Sequence, residues 1–170
     1  MEYPTQKELR SALHYDPQTG LFTWLRPARV GVAAGDTAGR ITSLGYWLIG
    51  FRGQKLLGHR LAWLYMTGGL PGESIDHING KRSDNRWANL RIANRYGQAH
   101  NQGVRKSNAT GKKGVYAKKE KFRAAIRANG SGVIHLGTYD TLDEAAHAYN
   151  KAAIRLHGQF ACLNPIGVDT

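Results

Sequence analysis

One cysteine, Cys162, stands in 170 residues. That excludes an intrachain disulfide and every zinc site built on several thiolates, and it fits a reducing compartment. No stretch approaches the ~18 uninterrupted apolar residues of a membrane-spanning helix. The opening MEYPTQKELRSAL carries acids and no apolar core of a secretory signal, so a cytoplasmic protein without membrane contact is expected. Repeats and low-complexity runs are absent. Acidic residues are scarce, 12 Asp/Glu against 24 Lys/Arg. Hydrophobic residues, at 41%, suffice for a packed core and exclude a disordered chain. The length allows one ordinary domain or two small ones.

What is present is a net charge of +12, and it is unevenly placed. Residues 1–80 hold 8 Lys/Arg and 6 Asp/Glu, residues 81–127 hold 14 and 2, and residues 128–170 hold 2 and 4. The excess lies in one central stretch. Concentrated positive charge repels itself unless a polyanion neutralises it, so nucleic acid is the favoured partner. The stretch is no amphipathic helix, which weakens a membrane-surface reading.

The pattern along the chain predicts an α+β protein. Residues 1–58 read as a β-rich region behind a first helix, which Thr5 and Glu8 open as a capping box. Asp16-Pro17-Gln18-Thr19-Gly20 reads as a turn and Leu21–Leu25 as a strand. Residues 26–45 read as loop. Gly45–Phe51 and Lys55–Leu57 form a hairpin around Arg52-Gly53-Gln54, and His59–Thr67 a short helix ended by glycine. Residues 102–112 read as a flexible basic linker. From there to 166 the pattern is βββα: strands Gly114–Lys118, Lys121–Arg127 and Val133–Leu136, a turn at Asn129-Gly130, and a helix capped by Thr141 and Glu144. In the second strand Phe122, Ala124 and Ile126 share one face, and Lys121, Arg123 and Arg127 share the other.

Residues 75–101 carry the chemistry. Asp76 and His77 are neighbours at a strand end, a carboxylate beside an imidazole. Alone, such a dipeptide is as well explained by a turn carboxylate and a hydrogen-bonded histidine. Asn79-Gly80 is a turn, Leu90–Ala93 a second strand, and Asn94 caps a helix carrying Gln98 and Asn101 on one face. Arg82, Arg86, Arg91 and Arg95 are candidate phosphate clamps. His59 suits a structural place at a helix start, while His14, His147 and His157 read as structural or surface residues. The longer pattern, His59-Arg60-Leu61-Ala62-Trp63, Ile75-Asp76-His77-Ile78-Asn79-Gly80, Asp84-Asn85-Arg86, Asn89-Leu90-Arg91 and Asn101, resembles the HNH nuclease family, in particular its phage and intron-borne homing type.

That resemblance implies a ββα-metal (His-Me finger) nuclease module at 59–101. It implies His77 as general base, Asp76 as a ligand of one divalent metal, Mg²⁺ by preference, and Asn89 as the residue that holds the loop bearing His77. The second ligand in the family is Asn or His, where this chain has Gln98. The longer side chain changes reach, and His100 and Asn101 are substitutes on the same helix.

A second resemblance covers 113–166. Lys113-Gly114-Val115-Tyr116, Phe122–Ile126, His135–Tyr139, Ala145–Tyr149 and Leu163-Asn164 resemble the plant ethylene-response-factor (AP-two) DNA-binding domain. It implies that the sheet enters the major groove, with Lys113, Lys118, Lys121, Arg123, Arg127, His135 and Thr138 contacting DNA. Tyr116 and His135 replace the more usual Arg and Trp, and Tyr116 also suits partial core packing.

The reading is a metal-dependent DNA endonuclease in four parts: a β-rich region (1–58), a nuclease module (59–101), a linker (102–112) and a DNA-reading module (113–166). The resemblance implies a site-specific homing enzyme of a phage or mobile element. Its partner is double-stranded DNA, a monomer is favoured with a dimer open, and its setting is the cytoplasm of a bacterial or phage-infected cell. The alternative is a sequence-specific DNA-binding protein with a degenerate nuclease site. An RNA-binding structural protein fits less well, because the outer sheet face is basic rather than aromatic.

Overall fold

A computed structural model describes residues 3–28, 30–128 and 132–167. The chain packs as two compact units, Met1–Ala93 and Asn94–Thr170. Among the described residues no helix is long and apolar enough to cross a membrane.

In the first unit α1 (Gln6–Ala12) begins at the expected capping box: the Thr5 hydroxyl accepts from Glu8 N, and the Glu8 carboxylate accepts from Thr5 N at 2.8 Å. The chain turns directly into β1 (Leu13–Tyr15), which pairs antiparallel with β2 (Phe22–Trp24). A three-stranded sheet follows: β3 (Arg40–Ile41), β4 (Trp47–Phe51) and β5 (Gln54–Leu57), in that order. The stretch expected as loop thus contains a strand, one of two residues and too short to leave a period of its own. The β4–β5 connection is two residues, Arg52 and Gly53, both with positive φ (49° and 74°), the conformation that matches strand twist. Gln54 belongs to the strand instead of the turn.

Helix α2 (Gly58–Thr67) ends on Gly68 in the left-handed region, and α1 is tied to it through Gln6 Nε2 and Arg10 Nη2, both donating to Tyr65 O. Leu9, Leu13, Phe22, Ile49, Leu56, Leu61, Ile75 and Leu90 form the core. Each such aliphatic side chain contributes ~1.5–3 kcal/mol by leaving water. The last pair, β6 (Ser74–His77) and β7 (Leu90–Ala93), is antiparallel and carries the 78–89 connection between its strands. That connection ends in a 3-10 turn at Trp87–Asn89, with the Trp87 ring 4.9 Å from Trp63.

The second unit opens with α3 (Arg95–Asn101), whose cap Asn94 accepts from Tyr96 N and Gly97 N. A three-stranded antiparallel sheet follows, β8 (Val115–Lys118), β9 (Lys121–Ala128) and β10 (Gly132–Tyr139), with β9 central. Strand β10 runs three residues past its expected end, through a bulge between His135 and Gly137 that the Gly137 backbone (φ 138°) permits. The expected Asn129-Gly130 turn lies outside the described residues.

Helix α4 (Leu142–His157) begins at the Thr141–Glu144 capping box and packs on the sheet. Its small side chains Ala145, Ala146, Ala152 and Ala153 let it lie close against Val115, Ala124 and Ile126. Gly114 has φ 70° and an added Cβ there would strike the Tyr149 ring, so this first position before β8 is reserved for glycine. A 3-10 turn, Gly158–Phe160, follows α4. Asn164 staples the tail: its N–H donates to Asn150 Oδ1, its carbonyl accepts from Asn150 Nδ2, and its own amide bonds Lys113 N and O.

The segment expected as a flexible linker is closed by side-chain bonds. Asn108 Nδ2 donates to Lys112 O and Val115 O, and the Thr110 hydroxyl donates to Asn108 Oδ1 at 2.7 Å. Short polar side chains bonding their own backbone make such a turn stable without apolar contacts.

Candidate active site

Strand β6 delivers the two residues singled out by sequence. In register with β7, Asp76 faces Arg91 and His77 faces Leu90. Cross-strand placement makes the first an ion pair: Arg91 Nη2 and Nε both donate to Asp76 Oδ2, at 2.9 and 3.1 Å, with both side chains largely buried. Arg91 was expected as a phosphate clamp; its guanidinium instead orients the Asp76 carboxylate, because the strand register puts the two opposite each other. Two of the other arginines are engaged as well. Arg86 forks onto Asp84 with bonds of 2.8 and 2.6 Å, and Arg82 donates to Leu44 O while lying over the Tyr46 ring.

His77 is buried, and its Nε2 lies 3.1 Å from Asn85 Oδ1. Burial holds its pKa below the usual histidine value, partly offset by the Asn85 bond and by the Asp76 charge. At neutral pH the ring is therefore uncharged, the form that accepts a proton. His59, expected at a helix start, sits in the first turn of α2 with its ring centroid 5.0 Å from that of His77, edge on. Burial, followed by the neighbouring His77 and Arg60 charges, lowers its pKa to about 3.

The 78–89 connection meets the core through Trp87, and polar side chains hold the stretch before it. Asn89 makes three bonds: Oδ1 accepts from Asn79 N (3.0 Å), and Nδ2 donates to Asn79 Oδ1 (3.0 Å) and Asp84 O (2.8 Å). Asn79 Nδ2 in turn donates to Asp84 Oδ2 at 2.7 Å. The Arg86 fork and this amide drive the Asp84 carboxyl well below the usual carboxylate range. Asn89 therefore clamps both limbs of the loop that follows His77.

Asn85 stands in the Asp84-Asn85-Arg86 motif, but sequence alone assigns it no role. It is 1% exposed, its carbonyl accepts from the Tyr15 hydroxyl at 2.6 Å, and its side chain reaches His77. Gly20, with φ 75°, backs onto the Asn85–Arg86 peptide so closely that a Cβ would come within 2.4 Å of Arg86 N. A fully buried carboxamide in a polar loop is the signal that could have marked it, but burial is not visible in a sequence.

Gln98 lies half-buried on α3 and is described with the second unit, as are His100, buried with its ring stacked 3.6 Å from His157, and Asn101. Among the described residues no three His, Cys, Asp or Glu side chains gather as a metal-binding group. A hard cation such as Mg²⁺ needs no such group, since it binds through one or two carboxylates, keeps several waters and takes further oxygens from a phosphate. The Arg91 bonds both fall on Oδ2 of Asp76, which leaves Oδ1 outside that pair.

In the second unit the register of β8, β9 and β10 brings the expected DNA-reading residues to one face. Thr138 pairs with Arg123 and Arg123 with Tyr116, Lys118 pairs with Lys121, and His135 stands two residues along β10 from Val133, the partner of Arg127. Lys121 is bridged to Asp140 at 2.8 Å. Lys113 is the exception among the seven. It precedes β8, is half-buried, and its ammonium donates to the carbonyls of His100 and Gln102. Burial lowers its pKa, and it acts as a strut between backbone segments.

Residues 57–100 match the family model described as HNH endonuclease. The chain is 34% identical over 106 residues to Protein 3.8 of Escherichia phage T7, covering 61% of this chain and 86% of the phage protein. It is 33% identical over 116 residues to the uncharacterized HNH endonuclease L560 of Acanthamoeba polyphaga mimivirus, covering 66% of this chain and 59% of that protein. The chain thus spans about three fifths of the mimivirus relative. Among solved structures, the HNH homing endonuclease I-HmuI, solved for its DNA binding and cleavage, aligns over 92% of this chain and 91% of its own, with a TM-score of 0.44 and 20% identity.

Proposed function

The chain belongs to the HNH endonuclease family, and from that premise we propose that it hydrolyses phosphodiester bonds in double-stranded DNA with the help of one divalent cation, Mg²⁺ by preference. The observation that carries this reading is the Asp76–His77 pair at the end of β6, followed by a loop that Asn89 clamps. Neutral His77 accepts a proton from the attacking water, a contribution of roughly 10²–10⁴-fold in rate. Asp76, oriented by Arg91, would hold the cation, and the family resemblance gives Gln98 as the second ligand. When bound, Mg²⁺ supplies charge to offset that developing on the leaving oxygen. Asn89 keeps the loop after His77 in place, so that the imidazole does not have to be reoriented for each turnover.

The βββα unit reads sequence in this proposal. It acts as an AP-two-like domain whose outer face presents Lys118, Lys121, Arg123, Arg127, His135 and Thr138 to the major groove. Together the two activities describe a site-specific nuclease of the homing type, acting as a monomer inside a bacterial or phage-infected cell. The T7 relative supports a phage setting. The test is run-off sequencing of genomic DNA incubated with the protein and Mg²⁺. Discrete ends that vanish in EDTA support the proposal. Binding without ends, in Mg²⁺ and Mn²⁺ alike, favours the second reading, a DNA-binding protein with a degenerate site. That reading draws on Gln98 standing where Asn or His is usual.

A further inference from the structure

The second unit contains a groove that the sheet-reading proposal does not use. It has a volume of about 1040 Å³ and lies between α3 with the 102–110 turns and the sheet at β8 and β9. Arg95, Arg105, Lys113 and Arg127 line it, and among the described lining residues none is acidic. A cleft of one sign focuses its field and gathers counter-charge. Its walls also present two tyrosines, Tyr96 at 40% and Tyr116 at 55% exposure. Arg95 lies over the Tyr96 ring at 4.9 Å and donates to its hydroxyl at 3.0 Å, which fixes that ring's place on the wall.

We infer that this groove is a second nucleic-acid site, one that holds a single-stranded DNA segment. The inference rests on the reading of the protein as a DNA enzyme and adds a strand-binding site to it. Three observations separate it from the duplex-reading face. Lys118, Lys121, Arg123, His135 and Thr138 do not line the groove; Arg127 is shared, and Tyr116, opposite Arg123, stands at the border of the two. The volume, about 1040 Å³, is at the top of the ~300–1,000 Å³ range of small-molecule pockets, room for a few nucleotides and not for a duplex. The two exposed rings offer stacking faces, which unpaired bases use and paired bases do not. Cations along a groove with aromatic platforms are the arrangement by which single strands are held without sequence preference. The chemistry is simple association: the arginines neutralise phosphates, the tyrosines stack bases, and no bond is made or broken. A nuclease with such a groove keeps hold of a strand end or a melted flank beside the duplex that its sheet reads.

Binding is measured on the full chain carrying His77→Ala, in EDTA, so that no cutting intervenes. The probes are a fluorescein-labelled oligodeoxynucleotide and its duplex form. Tyr96→Ala should weaken single-strand binding roughly tenfold and leave duplex binding within about twofold, while Tyr116→Ala, at the border of the reading face, should weaken single-strand binding by a similar factor. Tyr96→Phe and Tyr116→Phe keep the ring and should keep single-strand affinity, which separates stacking from misfolding. Arg123→Ala should show the reverse pattern, weakening duplex binding alone. An oligonucleotide bearing 5-iodouracil should photocrosslink to Tyr96 or Tyr116. The inference is overturned if Tyr96→Ala lowers both affinities together or neither, if Tyr116→Ala leaves single-strand affinity unchanged, or if an RNA strand of the same sequence binds more tightly. Failure to bind any DNA would overturn the nuclease reading as well, whereas duplex binding with an unaltered single-strand series would overturn this inference alone.

Discussion

The two units hold their working residues by different means. In the second, the face proposed to read DNA is a by-product of packing: Ala124 and Ile126 turn inward onto α4, so Arg123 and Arg127 turn outward. In the first, the 78–89 loop has one apolar anchor, Trp87 against Trp63, and polar bonds hold the stretch before it. Asn79, Asp84, Asn85 and Asn89 hold it through bonds to one another, to backbone and to His77. A packed face tolerates the loss of one side chain because its neighbours fix the backbone. A loop held by a few hydrogen bonds has no such reserve, since each bond removed leaves polar groups unmatched.

That contrast is broken most sharply at Asn89. Asn89→Ala removes three bonds and should cost roughly 2 kcal/mol of stability. Cleavage should fall further than that loss explains, because the loop after His77 is released; urea melts alongside cleavage rates at a temperature where the variant is folded separate the two. Equal losses at both readouts would mean that the clamp only stabilises. In the second unit, Thr141→Ala deletes the capping oxygen of α4 and should cost about 1 kcal/mol, with no change in the rate of cutting under saturating DNA. A cleavage rate that drops with it would mean the units do not divide the labour as described.

An effect of similar size is that of pH on the first unit. Burial lowers the His59 pKa to about 3, below its unfolded value near 6.5. The unfolded chain therefore binds the proton first, and stability present above pH ~6.5 is lost as pH falls toward 3. Between pH 7 and 5.5 the loss should be about 1 kcal/mol, and His77, shifted the same way, adds to it. His59→Phe should flatten the urea midpoint across that range; an unchanged slope would assign the pH dependence elsewhere.

Much of this was legible before the structure. The capping boxes at Thr5 and Thr141 and strands β6, β7 and β9 lie where pattern and cap chemistry put them. Asp76 and His77 were readable as a pair because they are adjacent in the chain. Their partners were not. Arg91 and Asn85 are 15 and 8 positions away, and which arginine meets Asp76 depends on strand register, which a 12-residue connection leaves open. Lys113 read as one more basic residue of the reading face, because sequence shows its charge and not the carbonyls of His100 and Gln102 that receive it. Short β3 and the end of β10 beyond its bulge were hidden for a different reason: two residues carry no period, and a bulge shifts the period that was there.

The central claim is that a neutral, buried His77 takes the proton of the attacking water while the rest of the molecule holds the DNA. It is tested by measuring, on one DNA substrate with Mg²⁺, the single-turnover cleavage rate and the dissociation constant of the wild-type protein and of His77→Ala. The account predicts a rate lower by roughly 10²–10⁴-fold with affinity changed less than about twofold, since phosphate contacts elsewhere dominate binding. A His77→Ala protein that cuts within threefold of wild type, or that loses binding in proportion to its rate, would contradict it.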